Sequence, residues 1–271
     1  WALMMEGGVQ INSLGQRFHD ETQGYSEASV KVLAQPAGVA WNVFDAPLLA
    51  LARGFPDFCE AEAAGAVKAC ADETALAGVL GWQDIRQRYR RSSLGPFWLT
   101  ISMGVLIGAL GFVFSALFEM EVADFIPFLT LGLIIWSLMT VSINEGCTAF
   151  SDSEAMIKQI PLPIFTHILR VLWRNLIIFA HNLVIFPLIL IAFGKPLTPT
   201  AFWAIPGLVL LMINLSWMAL IMGTLCARFR DIPQIVSNLL QVSFYLTPII
   251  WMPALLPKRA SMILLDVNPF F

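Results

Sequence analysis

Polar and charged side chains inside long apolar stretches are costly when they face lipid, so they mark the places where a chain like this one does chemistry. Glu145 ends one apolar run, and Arg170 and Arg174 begin the next. A carboxylate and two guanidiniums in that arrangement can form charge-assisted hydrogen bonds, and the expected pair is Glu145 with Arg174 or Arg170. His181 and Asn182 stand near the middle of the following run, where an imidazole and an amide suit a helix–helix hydrogen bond. Asn214 and Ser216 lie inside a fourth run.

Two further groups sit outside the runs. Arg86, Arg88, Tyr89, Arg90 and Arg91 follow Trp82 and Ile85. The rings and Ile85 recur on one helical face and the cations fill much of the rest. Such a helix lies in the headgroup layer, with its cations near lipid phosphate. Gly95-Pro96 then turns the chain into the bilayer. The second group is Ser151 to Pro161. Asp152, Glu154 and Lys158 are its polar members, and Met156, Ile157 and Ile160 its apolar ones. That pattern predicts a short amphipathic helix of the kind that lies across a partner's groove. No G-x-x-x-x-G-K-[ST] occurs, so the chain has no loop to cradle ATP phosphates. Cys59, Cys70, Cys147 and Cys226 are scattered without metal-ligand spacing, and no metal site is expected.

The elements that must position these groups follow from composition. Apolar residues make up 58% of the 271 residues and charged residues 13%. The mean hydropathy is +0.73. A chain so poor in charge cannot cover a soluble surface, which argues against a wholly soluble enzyme, a disordered protein and a nucleic-acid binder. The formal net charge of −3 hides a split. Residues 1–80 carry four Lys/Arg against ten Asp/Glu, whereas residues 81–271 carry twelve against nine.

Five stretches free of Asp, Glu, Lys and Arg hold 20 residues or more, the length a helix needs to cross a bilayer. They predict spans near 97–118, 125–144, 173–193, 201–226 and 234–252. Nine Lys/Arg flank one side of these spans and three the other. The excess puts Trp82 in the cytoplasm and the segment after the fifth span outside. The expected fold is an all-α polytopic membrane protein, preceded by a small, incomplete α+β soluble segment. That segment, 1–80, predicts a strand, a tight turn at Leu14-Gly15 and a return strand, with a further strand over Val39 to Phe44. Helices are expected over 28–33, 48–52, 60–67 and 73–80. Residues 81–96 form the interface helix and 97–271 the transmembrane domain. The start at Trp1 and the stop after Phe271 read as a fragment at one or both ends.

Arg88-Tyr-Arg-Arg-Ser-Ser-Leu-Gly-Pro-Phe-Trp98 resembles the entry signature of the ABC-2 type permeases that export polysaccharides such as O-antigen, capsule and teichoic acid. Pro127 to Trp136, Arg170 to Asn182, Arg228 to Gln234, Thr247-Pro-Ile-Ile-Trp251 and Asn268-Pro-Phe270 fit the same family, in the right order. The resemblance implies a multi-pass permease subunit in the bacterial inner membrane. It implies a homodimer that moves lipid-linked polysaccharide, driven by a separate ATP-binding-cassette subunit. The permease itself is then no enzyme and holds no cofactor. The family normally carries a sixth span, which is missing here. The resemblance makes Asp152, Glu154, Met156, Ile157 and Lys158 the coupling surface for the ATPase, with Arg228, Arg230 and Asp231 a further contact. Sugars stack on aromatic rings, and Trp98, Trp136, Trp217, Phe244 and Tyr245 are candidates for the glycan path. An ABC-2 permease for a drug or another lipid is the alternative within this class.

Glu6 to Glu21, Gly24 to Glu27 and Pro36 to Asp45 resemble a middle segment of FAD-dependent oxidoreductases of the fumarate reductase type. Such a relative binds FAD through a G-x-G-x-x-G that this chain lacks, so FAD binding is not expected. A membrane-tethered flavin oxidoreductase fragment is the reading from another class. The two resemblances meet abruptly between Gly78 and Trp82, which suggests a chimeric reading frame.

Overall fold

The computed structural model describes residues 2–12, 16–22, 24–35, 38–88, 97–159 and 162–253. Its first part is small and mixed. Helix α1 (Ala2–Met5) leads into strand β1 (Val9–Asn12). Helix α2 (Tyr25–Leu33) follows, then strand β2 (Ala40–Val43). The strands pair antiparallel, with Val9 opposite Val43 and Asn12 opposite Ala40. The expected return strand is reduced to one bridge between Ile11 and Arg17, and its turn at Leu14-Gly15 lies outside the described residues. Helix α3 (Ala46–Ala52) starts at Asp45, whose carboxylate accepts from the Leu48 amide and so satisfies one free donor of the first turn. Helix α4 (Pro56–Ala63) stops four residues before the expected Val67, because the chain turns at Gly65 with φ +76°, a conformation suited to glycine.

Helix α5 (Glu73–Arg88) runs unbroken through Gly78 to Trp82. The helices expected over 73–80 and from 82 onward are therefore one element. Residues 89–96, including Tyr89, Arg90 and Arg91, lie outside the described residues.

The long helices come next. They are α6 (Phe97–Leu117), α7 (Val122–Asp152), α9 (Ile164–Leu183), α10 (Ile185–Ala192) and α11 (Ala204–Arg228), with the short α8 (Glu154–Gln159) between α7 and α9. Among the described residues, four stretches are long and apolar enough to cross a membrane: Phe97–Leu117, Val122–Asp152, Ile164–Ala192 and Pro199–Arg228. The stretch expected as a fifth span, 234–252, is helical over only part of its length. Helix α12 is Ile232–Leu246, fifteen residues, and reaches only about 22 Å. It stops because Pro248 has no amide hydrogen and disfavours helical backbone at Thr247, whose ψ is 138°. At the end of the helix Ser243 O accepts both the Thr247 amide, at 2.9 Å, and the Thr247 hydroxyl, at 2.8 Å, and Tyr245 O accepts the Trp251 indole N–H at 3.1 Å.

Helix α7 is the centre of the bundle, contacted by α6, α9, α11 and α12. Phe125, Leu129, Ile134, Ile168 and Leu215 are fully buried there. The α7–α11 crossing is close because Gly146 faces Ala219: a Cβ on Gly146 would lie 2.7 Å from the Ala219 Cβ. Helix α7, at about 46 Å, is longer than the roughly 30 Å hydrocarbon layer. Helix α9 likewise starts nine residues before the expected 173. Glu145, Arg170 and Arg174 thus lie within continuous helices rather than at their ends. Helices α7, α8 and α9 and the preceding α5 meet at one end of the bundle.

Candidate functional site at the charged end of the bundle

The site begins with the fit of α5 against α9. Ala77, Leu80 and Ile85 are buried on one face of α5, and Trp82 is half exposed on another. Gly81 permits the contact: a Cβ there would stand 3.0 Å from Arg170 O and 3.1 Å from the Trp173 ring. The same face carries Asp84, one turn on from Leu80. Helix α9 presents His167, Arg170, Arg174 and Asn175 at helical spacing on the face turned inward.

Asp84 accepts from both arginines. Arg170 donates through Nε at 2.7 Å and also through Nη2, a forked pairing. Arg174 Nη1 donates to Asp84 Oδ2 at 3.0 Å, while its Nη2 donates to Glu145 Oε2 at 2.7 Å. One chain of charge therefore joins α5, α9 and α7. The four side chains are only 13–24% exposed. A cavity of about 120 Å³ opens beside them, lined by Asp84, Glu145, Asp152, His167, Arg170 and Arg174 among others. His167 is 2% exposed, and neither ring nitrogen has a hydrogen-bonding partner among the described residues. Deeper in the bundle, Asn175 Nδ2 approaches Ser142 Oγ at 3.4 Å.

The expected Glu145–Arg174 pair is formed, whereas Arg170 pairs with Asp84. His181 departs from the expected interhelical bond: its Nδ1 donates to Ile177 O of its own helix at 2.8 Å, and its ring stands edge-on to Phe97. Asn182 is buried, and its Oδ1 has no hydrogen-bonding partner among the described residues.

Asp152 ends α7 and accepts from the Thr148 hydroxyl at 2.8 Å. Glu154 and Lys158 form an exposed ion pair along α8. Hydrogen bonding by Lys158, then its charge, holds the Glu154 carboxyl below its usual range, with a smaller contribution from Arg230. Ile157 packs against the main core, whereas Met156 is buried against Ile11 of β1. Arg228 lies over the Phe229 ring, and Arg230 and Asp231 are exposed. Arg86 and Arg88 are in α5. The five proposed path aromatics are not one surface. Trp136 is 9% exposed and packs on Phe244 in the core, and Phe244 meets Tyr245. Tyr245, Trp98 and Trp217 are exposed on α12, α6 and α11, and the Trp217 indole donates to Asn214 Oδ1 at 3.2 Å.

Sequence reasoning missed Asp84, His167 and Asn175 as site residues. A signal for Asp84 was present. It is the one acid between Trp82 and Glu119, and it falls on the face of its helix that carries Ala77, Leu80 and Gly81. His167, Arg170, Arg174 and Asn175 share a face once α9 is allowed to start before Arg170.

The profile of the ABC-2 type transporter family matches residues 76–271, starting inside α5. The O-antigen export system permease protein RfbA of Myxococcus xanthus is 25% identical over 189 residues, 69% of this chain and 72% of that protein. Two Klebsiella pneumoniae proteins of the same description are 23% and 24% identical, with the same coverage. These matches lend no support to the flavoprotein resemblance of residues 1–80. Matched over most of its length, four long apolar helices included, this chain belongs to the ABC-2 type transporter family.

Proposed function

We propose that this chain is the permease subunit of an ATP-driven exporter that moves lipid-linked polysaccharide across the bacterial inner membrane. It works as a homodimer beside an ATP-binding-cassette subunit, with the Trp82 side in the cytoplasm. The observation that carries the reading is the Asp84–Arg170–Arg174–Glu145 network, taken with the likeness to O-antigen export permeases over the same region. The network ties the helix before the membrane to two spanning helices, directly beside α8. A push delivered at α8 or α5 is thereby passed to α7 and α9. In this reading Asp152, Glu154, Met156, Ile157 and Lys158, with Arg228, Arg230 and Asp231, form the ATPase contact, and Arg86, Arg88, Tyr89, Arg90 and Arg91 hold the interface helix at the headgroups.

The substrate class has separate support on α12. Gln234, Asn238, Gln241 and Tyr245 are exposed at helical spacing on one face. Gln234 Nε2 donates to Asn238 Oδ1 at 3.1 Å. Such a stripe offers uncharged donors and acceptors on one face, which suits a hydroxyl-rich chain. Exposed rings at Tyr245 and Trp217 add stacking surfaces.

The test is complementation. A strain lacking its O-antigen permease but retaining the ATPase regains surface polysaccharide when it expresses this chain, and loses it again with Arg174→Glu. Stable, membrane-inserted protein with no surface glycan would overturn the polysaccharide reading and favour an ABC-2 permease for a drug or another lipid.

A further inference from the structure

The strand pair of the first segment does not float free of the bundle. Ile11 of β1 is 2% exposed and Met156 of α8 is 3% exposed, and the two bury each other. Val9, Val43 and Leu162 close around them. A second contact lies just beyond: Gln16 lines the charged cavity together with Asp84, Glu145 and Arg170. The segment therefore reaches both the apolar residue of α8 and the network behind it.

From this we infer that the β1–β2 pair is a built-in cover over the α8 surface and competes there with the ATPase. The inference rests on reading α8 as the coupling helix. Met156 is the buried apolar anchor of a six-residue helix whose other described residues are polar or packed inward. While Ile11 sits on it, a partner groove cannot reach the Met156 side chain. Docking of the ATPase requires the strand pair to leave. The apparent affinity is then lowered in proportion to the fraction of molecules that are uncovered. The cover blocks one face of α8 only: Glu154 and Lys158 remain exposed and can make the first encounter.

The experiment uses the full chain in proteoliposomes with purified ATPase. Cysteines replace Val43 and Leu162, which close around the Ile11–Met156 contact without belonging to the ATPase surface, in a background carrying Cys59→Ser and Cys70→Ser, and a short reducible bis-thiol reagent joins them. If the pair is a cover, the joined protein loses about tenfold or more in ATPase binding and in stimulated hydrolysis, and reductant restores both. An Ile11→Asp variant, uncovered without any cross-link, binds the ATPase several-fold more tightly than the unaltered chain. Equal binding by joined and reduced protein overturns the inference. Lys158→Glu separates the two ideas. If it abolishes coupling while the cross-link has no effect, the coupling reading stands and the cover falls. If it too leaves coupling unchanged, the coupling reading of α8 itself fails.

Discussion

Asp84 is shared by two guanidiniums, and its loss leaves both with a partner missing in a space only 13–16% exposed. Removing one member of a pair that is largely out of water costs about 3–5 kcal/mol, much of it the penalty on the charge left behind. Asp84→Asn is expected to lower the thermal midpoint of detergent-solubilised protein clearly, and an unchanged midpoint would mean that the network carries no stability. The Arg174–Glu145 link can be isolated by a double-mutant cycle with Arg174→Met and Glu145→Gln. The coupling expected is about 1–3 kcal/mol, and strictly additive effects would contradict the pair. The pair was legible in the sequence because opposite charges flanking apolar runs have few other places to go. The role of Asp84 was not, because it depends on which face of α5 meets α9, and that is set by Gly81 and Trp173 rather than by charge.

Helix lengths carry the next level. The apolar runs located four crossing helices, but not their ends. A run of uncharged residues marks the hydrocarbon layer, whereas a helix continues for as long as its backbone bonds and packing allow. Helices α7 and α9 accordingly extend past the runs and carry their charged residues into one cluster. Proline decided the remaining case: Pro248 stops α12 after fifteen residues, although the apolar composition continues to Met252. Two glycines show how tightly the elements fit. A Gly81→Leu side chain must enter space held by Arg170 O and Trp173, and a Gly146→Val side chain space held by Ala219. Overpacking of this kind typically costs about 1–3 kcal/mol. Gly81→Leu is expected to part α5 from α9 and raise hydrogen exchange in α5 while α11 stays protected. Gly146→Val is expected to loosen α7 against α11 instead. Exchange that rises equally everywhere in both variants would contradict this assignment.

At the scale of the whole molecule, the charges divide between two ends. The Asp84–Arg170–Arg174–Glu145 network and α8 occupy one. The other holds the exposed Lys195–Asp124 pair, in which hydrogen bonding by Asp124 and then its charge raise the Lys195 pKa above its usual value. If Trp82 faces the cytoplasm, a cysteine at Lys195 reacts with an impermeant thiol reagent added to whole spheroplasts, and a cysteine at Arg230 reacts only after lysis. The reverse pattern would invert the topology. The soluble segment was legible as α+β: β1 and β2 lie within stretches expected as strands, whereas the expected return strand is reduced to the Ile11–Arg17 bridge. Its contact with α8 was not legible, because no pattern within 1–80 names its partner surface.

The central claim is that this permease passes the work of a partner ATPase through its charged end to a polysaccharide. Its most direct test is ATP-dependent glycan translocation in proteoliposomes holding this chain and the ATPase, compared between the unaltered protein and Asp84→Asn. The account predicts ATP-dependent translocation by the first. For the variant it predicts intact ATPase binding with translocation reduced about tenfold or more, since a loss of about 1.4 kcal/mol in coupling is already a factor of ten. Undiminished translocation by a folded Asp84→Asn protein would contradict the claim that the network carries the coupling, and no translocation by the unaltered protein would contradict the proposed function itself.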